Sequence, residues 1–161
     1  MELKILNSRE LKELRKIIEK QYGITEKLDY VFLLSGKDDV YVINDSVKNL
    51  DLDSIKINTI GIYIGENKFD TFRPSIEGSQ IFGPLAKKNI LEVDYKVMKM
   101  WMYGLDIPCK EELEGYVMIK SGTDYIGSGK YKECAQKSEI SGTTTSGKIL
   151  NHVPKGRRIH E

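Results

Sequence analysis

Leu11, Leu14, Ile17 and Ile18 fall on one face of a 3.6-residue repeat, which predicts an amphipathic helix near the start of the chain. Both of its ends are marked. Asn7 stands three residues before Glu10, so each side chain can take the other's free backbone N–H, and Gly23 supplies a stop. Leu28 to Leu34 then reads as a strand, Ser35 to Asp39 as a turn and Val40 to Ile43 as a second strand, giving a hairpin. A short element covers Val47 to Leu50. Ile55, Ile57, Ile60, Ile62 and Ile64 partly keep a two-residue alternation, which predicts a strand over 55–64 with Gly61 and Gly65 bracketing its end. Phe69, Phe72, Ile76, Ile81 and Phe82 fit either period and leave their stretch open as helix or strand.

The pattern changes near residue 90. Val93, Tyr95 and Val97 alternate with charged neighbours, an apolar strip runs from Met98 to Tyr103, and Gly104 ends it. After a polar connection from Pro108 to Glu114, Gly115 to Ile119 is a strand and Ser121 to Asp124 a turn. Tyr125 to Lys130 is a glycine-broken edge or bulge, Ser138 to Gly147 a loop rich in Ser, Thr and Gly, and Lys148 to Val153 a last strand. The expected class is α+β, in two parts, 1–90 and 91–161, joined without a flexible linker.

Composition narrows the classes. With 40% hydrophobic and 30% charged residues among 161, the chain can bury a core. No apolar run reaches the ~18 residues of a membrane span, and the first residues lack a signal-peptide layout. Two distant cysteines, Cys109 and Cys134, and two histidines give no zinc-type spacing, so a reducing cytoplasmic setting without metal or other cofactor is expected.

Net charge is only +1, yet Lys155, Arg157 and Arg158 crowd the end of the chain around Gly156. Such local positive charge suits an anionic partner, phosphate foremost. Val153 and Ile159 flank the cluster and are expected to hold it against the rim of a small barrel closed by Lys148 to Val153. Tyr103, Tyr125 and Tyr131 offer aromatic faces after residue 95, and Lys99, Lys120, Lys130, Lys132 and Lys148 add charge.

Other motifs are weaker. Gly127 and Gly129 are part of a nucleotide-loop pattern but lack a third glycine and a following amphipathic helix. Asp106-Ile107-Pro108-Cys109 fits the Asp-x-Pro-Cys pattern of the NOL1/NOP2/Sun RNA cytosine methyltransferases, which would make Cys109 a nucleophile. The chain has no Gly-rich strand–helix unit to hold a methyl donor. Catalysis with Cys109, alone or as an accessory subunit, therefore stays an alternative, as does a protein–protein adaptor using Met98, Met100, Trp101 and Met102.

Val97 to Ile107, with Gly115 to Lys120 and Tyr125 to Lys130, resembles a PUA domain, in which a short helix leads into a Tyr-Gly segment and a later strand ends in Gly-x-Gly. Upstream, Val40 to Ile43, Ile60 to Gly65, Lys68 to Arg73 and Pro84 to Lys88 resemble the α/β domain that precedes PUA in Nip7-type ribosome biogenesis proteins. The ending Asn151 to Ile159 is similar to the PUA-type extension of archaeal NOL1/NOP2/Sun relatives. The usual Gly-Ala start of the PUA helix is replaced by Asp94-Tyr95-Lys96. The resemblance implies a pre-PUA-like α/β domain followed by a PUA β-pseudobarrel. It further implies a non-catalytic RNA-binding protein acting on rRNA or tRNA in ribosome assembly or RNA modification, alongside other proteins of those processes. The implied RNA-binding residues are Lys99, Tyr103 and Gly104, then Lys130, Lys148, Lys155, Arg157 and Arg158.

Overall fold

The computed structural model describes residues 2–51, 54–56, 60–140 and 143–160. Its class is α+β: three α-helices and two five-stranded sheets among the described residues. The first sheet is antiparallel throughout. Strands β1 (Leu3–Ile5), β2 (Val31–Ser35), β3 (Asp39–Ile43), β4 (Ile62–Lys68) and β5 (Thr71–Pro74) lie side by side in chain order. Helix α1 (Ser8–Tyr22) lays Leu14, Ile18 and Tyr22 on this sheet, against Phe32, Val40, Val42, Ile64 and Phe72.

The ends of α1 are those its sequence marks. The Asn7 side chain accepts from the Glu10 N–H at 2.9 Å, Glu10 accepts from the Asn7 N–H at 3.0 Å, and Gly23 closes the helix in a left-handed conformation. Asn7→Ala is expected to cost about 1 kcal/mol in urea denaturation, because it leaves a first-turn N–H without its side-chain acceptor.

Helix α2 (Ile76–Phe82) follows β5 and leads, through a 3-10 turn, to the second sheet. There β6 (Ile90–Glu92) runs parallel to β8 (Tyr116–Ser121), and β9 (Asp124–Ile140), β10 (Thr143–Asn151) and β7 (Ile107–Cys109) continue antiparallel, in the order β6-β8-β9-β10-β7. Helix α3 (Tyr95–Met102) sits between β6 and β7 in the chain and buries Trp101 completely. Trp101 is surrounded by Ile107, Val117, Ile119 and Ile149, with Met100 and Met102 packed at the edge. Within the apolar strip Trp101 is core, and Met98, Met100 and Met102 remain partly exposed.

Several expected elements shift. The strand expected at 55–64 begins at Ile62 and continues to Lys68. Residues 54–56 are not extended strand, and 57–59 lie outside the described residues. Gly65 is inside β4 rather than at its end, in a bulge where Ile64 and Gly65 meet the step from Val40 to Tyr41 on β3. Tyr125 to Lys130 is no edge but the first part of β9, an interior strand, and it carries the expected bulge: three residue steps from Tyr125 to Ser128 face two from Met118 to Lys120. The expected Ser/Thr/Gly loop belongs to the long β9–β10 hairpin, apart from 141–142, which lie outside the described residues.

The two sheets are tied directly. Ser128 Oγ donates to the Pro74 carbonyl at 2.6 Å and Tyr22 Oη to the Tyr116 carbonyl at 2.9 Å. Met118 of the second sheet completes the core of the first, while Ile76 of α2 joins the core around Trp101.

Candidate nucleic-acid interface

The tail is pinned to the end of α3. Gly104 follows that helix at φ +93, a backbone region that favours glycine, and a Cβ there would lie 2.5 Å from Arg158 Nε. Arg158 Nε donates to the Val153 carbonyl at 3.1 Å, and the Ile159 N–H donates to the Met102 carbonyl at 2.9 Å. Val153 is buried as expected. Ile159 is not: its backbone makes the anchor and its side chain is 42% exposed. Lys99, one turn before Tyr103, is exposed, with its ammonium 5.8 Å from the centre of the Tyr95 ring. Tyr103 is half-buried.

The terminal basic cluster divides. Arg157 leaves the tail in the other direction and pairs with Glu77 of α2 at 2.7 Å, whereas Arg158 faces Gly104. Lys155 is exposed at the start of the 3-10 turn that Arg157 ends.

Lys130, Lys132 and Lys148 share one face of the second sheet. Side chains two apart on a strand point the same way, so Lys130 and Lys132 are neighbours, and the register sets Lys148 opposite Lys132. All three are exposed, while the intervening pair Tyr131 and Ile149 faces the core. Like charges directly opposite one another oppose folding. Asp106 relieves this in part: one oxygen stands 3.8 Å from Lys148 Nζ and the other accepts the Asn151 N–H at 2.8 Å. Asn151 in turn donates to the Trp101 and Leu105 carbonyls, so the α3–β7 loop carrying Gly104 is fastened beside Lys148.

A cleft of about 330 Å³ opens where the sheets meet, lined by Tyr63, Arg73, Glu77, His152, Arg157 and others. Arg73 is held by Glu66 at 2.6 Å. His152 sits edge-on to Tyr116, ring centres 5.8 Å apart. Partial burial, then the charges of Arg73 and Lys130, lower its pKa, with Asp106 opposing. Lys130 thus lies within electrostatic reach of His152 in the cleft.

Cys109 is buried in β7, its thiol 3.2 Å from the Glu111 carbonyl, and burial pushes its pKa up. That environment keeps it a thiol, the reverse of what a nucleophile needs. The glycine pair also has a structural explanation. A Cβ on Gly129 would come within 2.5 Å of the Trp101 ring, and Trp101 Nε1 donates to the Ile126 carbonyl at 3.0 Å. Gly129 admits the indole, and Gly127 stands at φ +112, a backbone region that favours glycine. Among the described residues no group of His, Cys, Asp or Glu is placed to hold a metal, and no helix is long and apolar enough to cross a membrane.

No protein-family model matches the chain, and no curated protein matches it in sequence. Sequence reasoning missed the cleft residues Glu77 and His152 as functional candidates. Its only handle on His152 was the scarcity of histidine, two in 161 residues.

Proposed function

We propose that the protein binds RNA without catalysing a reaction on it, through a PUA-type second half, and serves rRNA or tRNA in ribosome assembly or modification. The observation that carries this reading is the grouping of cations: Lys132 opposite Lys148 with Lys130 beside them on one exposed sheet face, and Arg73 and Arg157 at the cleft between the sheets. Phosphates neutralise such a surface, and Arg158 and Lys155 extend it along the tail. The α3 end, with Lys99, Tyr103 and Gly104, supplies the neighbouring contact region.

Salt dependence tests it. About six phosphate contacts on a single strand give a log–log slope near −4.2, so doubling the salt weakens binding about 20-fold. Fluorescence anisotropy with a labelled RNA reads this directly. Absence of binding at low salt, or an unchanged affinity on doubling it, overturns the proposal. Deleting residues 154–161 removes Lys155, Arg157 and Arg158 but leaves buried Val153 in place. That truncation is expected to flatten the slope by about 2 and to weaken binding at least about tenfold. Its thermal midpoint should fall by only a few degrees, since what is lost is an ion pair at the surface, the Arg158 bond to the Val153 carbonyl and the Ile159 backbone bond.

A further inference from the structure

We propose that the cleft between the two sheets is a binding site for a nucleoside phosphomonoester, with its phosphate held by Arg73 and Arg157 beside His152. Its size is at the lower end of small-ligand pockets and suits one nucleotide. The two guanidiniums come from different sides of the junction, Arg73 from β5 and Arg157 from the tail. Glu66 meets Nη2 of Arg73 and Glu77 meets Nη1 of Arg157. These carboxylates fix the forks in place, and a guanidinium has five N–H donors with which to meet further acceptors. Ile76, Val153 and the Tyr63 ring give the lining apolar surface for a base or ribose.

His152 makes the site sensitive to ligand charge. Around it stand the cations of Arg73 and Lys130, the Tyr116 ring of β8, and the carboxylate of Asp106; Arg157, Glu77 and Tyr63 share its cleft, and Glu66 backs Arg73. The nearby cations and partial burial disfavour the imidazolium. A phosphate dianion between the guanidiniums reverses the balance, so binding takes up a proton on His152. The phosphomonoester carries a second charge that a backbone diester lacks, and this favours it over an internal phosphate. Such a group reaches the cleft either as a free nucleotide or as the phosphorylated end of an RNA. The second source rests on the RNA-binding reading; the first does not.

The chain has two histidines, both exposed: His152 lines the cleft, and His160, which does not, serves as an internal reference, so their NMR resonances report on the site. Titration with AMP is expected to move the His152 signals, leave those of His160 nearly unchanged, and raise the His152 titration midpoint by about one pH unit, equivalent to about tenfold tighter binding to the protonated form. Arg157→Ala, a substitution at an exposed position, should weaken AMP at least about tenfold. The proposal is overturned if millimolar AMP leaves His152 unmoved, if adenosine moves it equally, or if Arg157→Ala binds AMP like the wild type. A 5′-phosphorylated hexanucleotide binding about tenfold tighter than its 5′-hydroxyl counterpart supports a chain end as the ligand. Equal binding of the two, with AMP still seating at His152, supports the free nucleotide. AMP binding with no affinity for either oligonucleotide at low salt sustains the cleft and defeats the RNA-binding reading; the reverse result does the opposite.

Discussion

Trp101→Ala is expected to lower stability by about 4 kcal/mol, the largest loss from any single substitution considered, because a fully buried indole leaves a cavity as well as its transfer energy behind. For a chain of this length that is a fall in thermal midpoint of roughly 12 °C. Two contacts depend on the ring: its Nε1 satisfies the Ile126 carbonyl and its edge fills the space left by Gly129. The Trp101 backbone carbonyl, whose position the packed ring fixes, accepts from the Asn151 side chain. Asn151 also holds the Leu105 carbonyl, so loosening α3 loosens the Gly104 turn against which Arg158 rests. The variant should therefore lose RNA affinity together with stability. Trp101 is the sole tryptophan, so unfolding has to be followed by circular dichroism in both proteins. A loss below about 1 kcal/mol would mean that the indole is not the centre of this core.

Local chemistry made part of the fold legible. The α1 boundaries were readable because capping is settled within four residues, by Asn7 and Glu10 at one end and Gly23 at the other. The β2–β3 hairpin was readable because two β-rich runs flank a turn sequence. The β9–β10 hairpin was not. Its Ser-, Thr- and Gly-rich outer part has no apolar alternation, yet backbone pairing alone can make a ladder. Gly65 misled for a related reason: a glycine in a strand marks a bulge as readily as an end. The basic sheet face was half legible. Lys130, Lys132 and Lys148 were visible as charges, but only the register shows that they are neighbours. The cleft had no local signal, since Arg73 and His152 meet only where one sheet abuts the other. Even the terminal cluster, the most conspicuous feature of the sequence, reads differently once Arg157 turns to α2 and Arg158 to α3.

The triple substitution Lys130→Glu, Lys132→Glu, Lys148→Glu is expected to weaken RNA binding about 100-fold or more and to flatten the salt slope by about 2, the share of three phosphate contacts on a single strand. Folding should lose no more than about 1 kcal/mol: all three side chains are exposed and the reversal exchanges one like-charged cross-strand pair for another, while Lys148→Glu trades the contact with Asp106 for a repulsion. Lys132→Glu alone is the sharper comparison for stability. It places a carboxylate opposite Lys148, which should stabilise the hairpin by a few tenths of a kcal/mol while still reducing RNA affinity. Stability and binding then move in opposite directions, which a general loss of structure cannot produce. A protein of the same altered net charge separates the local effect from long-range repulsion of RNA. Reversing Lys12, Lys16 and Lys37, exposed on α1 and in the β2–β3 turn, gives that control. Screening at physiological salt confines exposed charges to about 8 Å, so the control should retain most of its affinity. Equal losses in the two triple variants would show that RNA responds to total charge, and the sheet face would then have no claim as the interface.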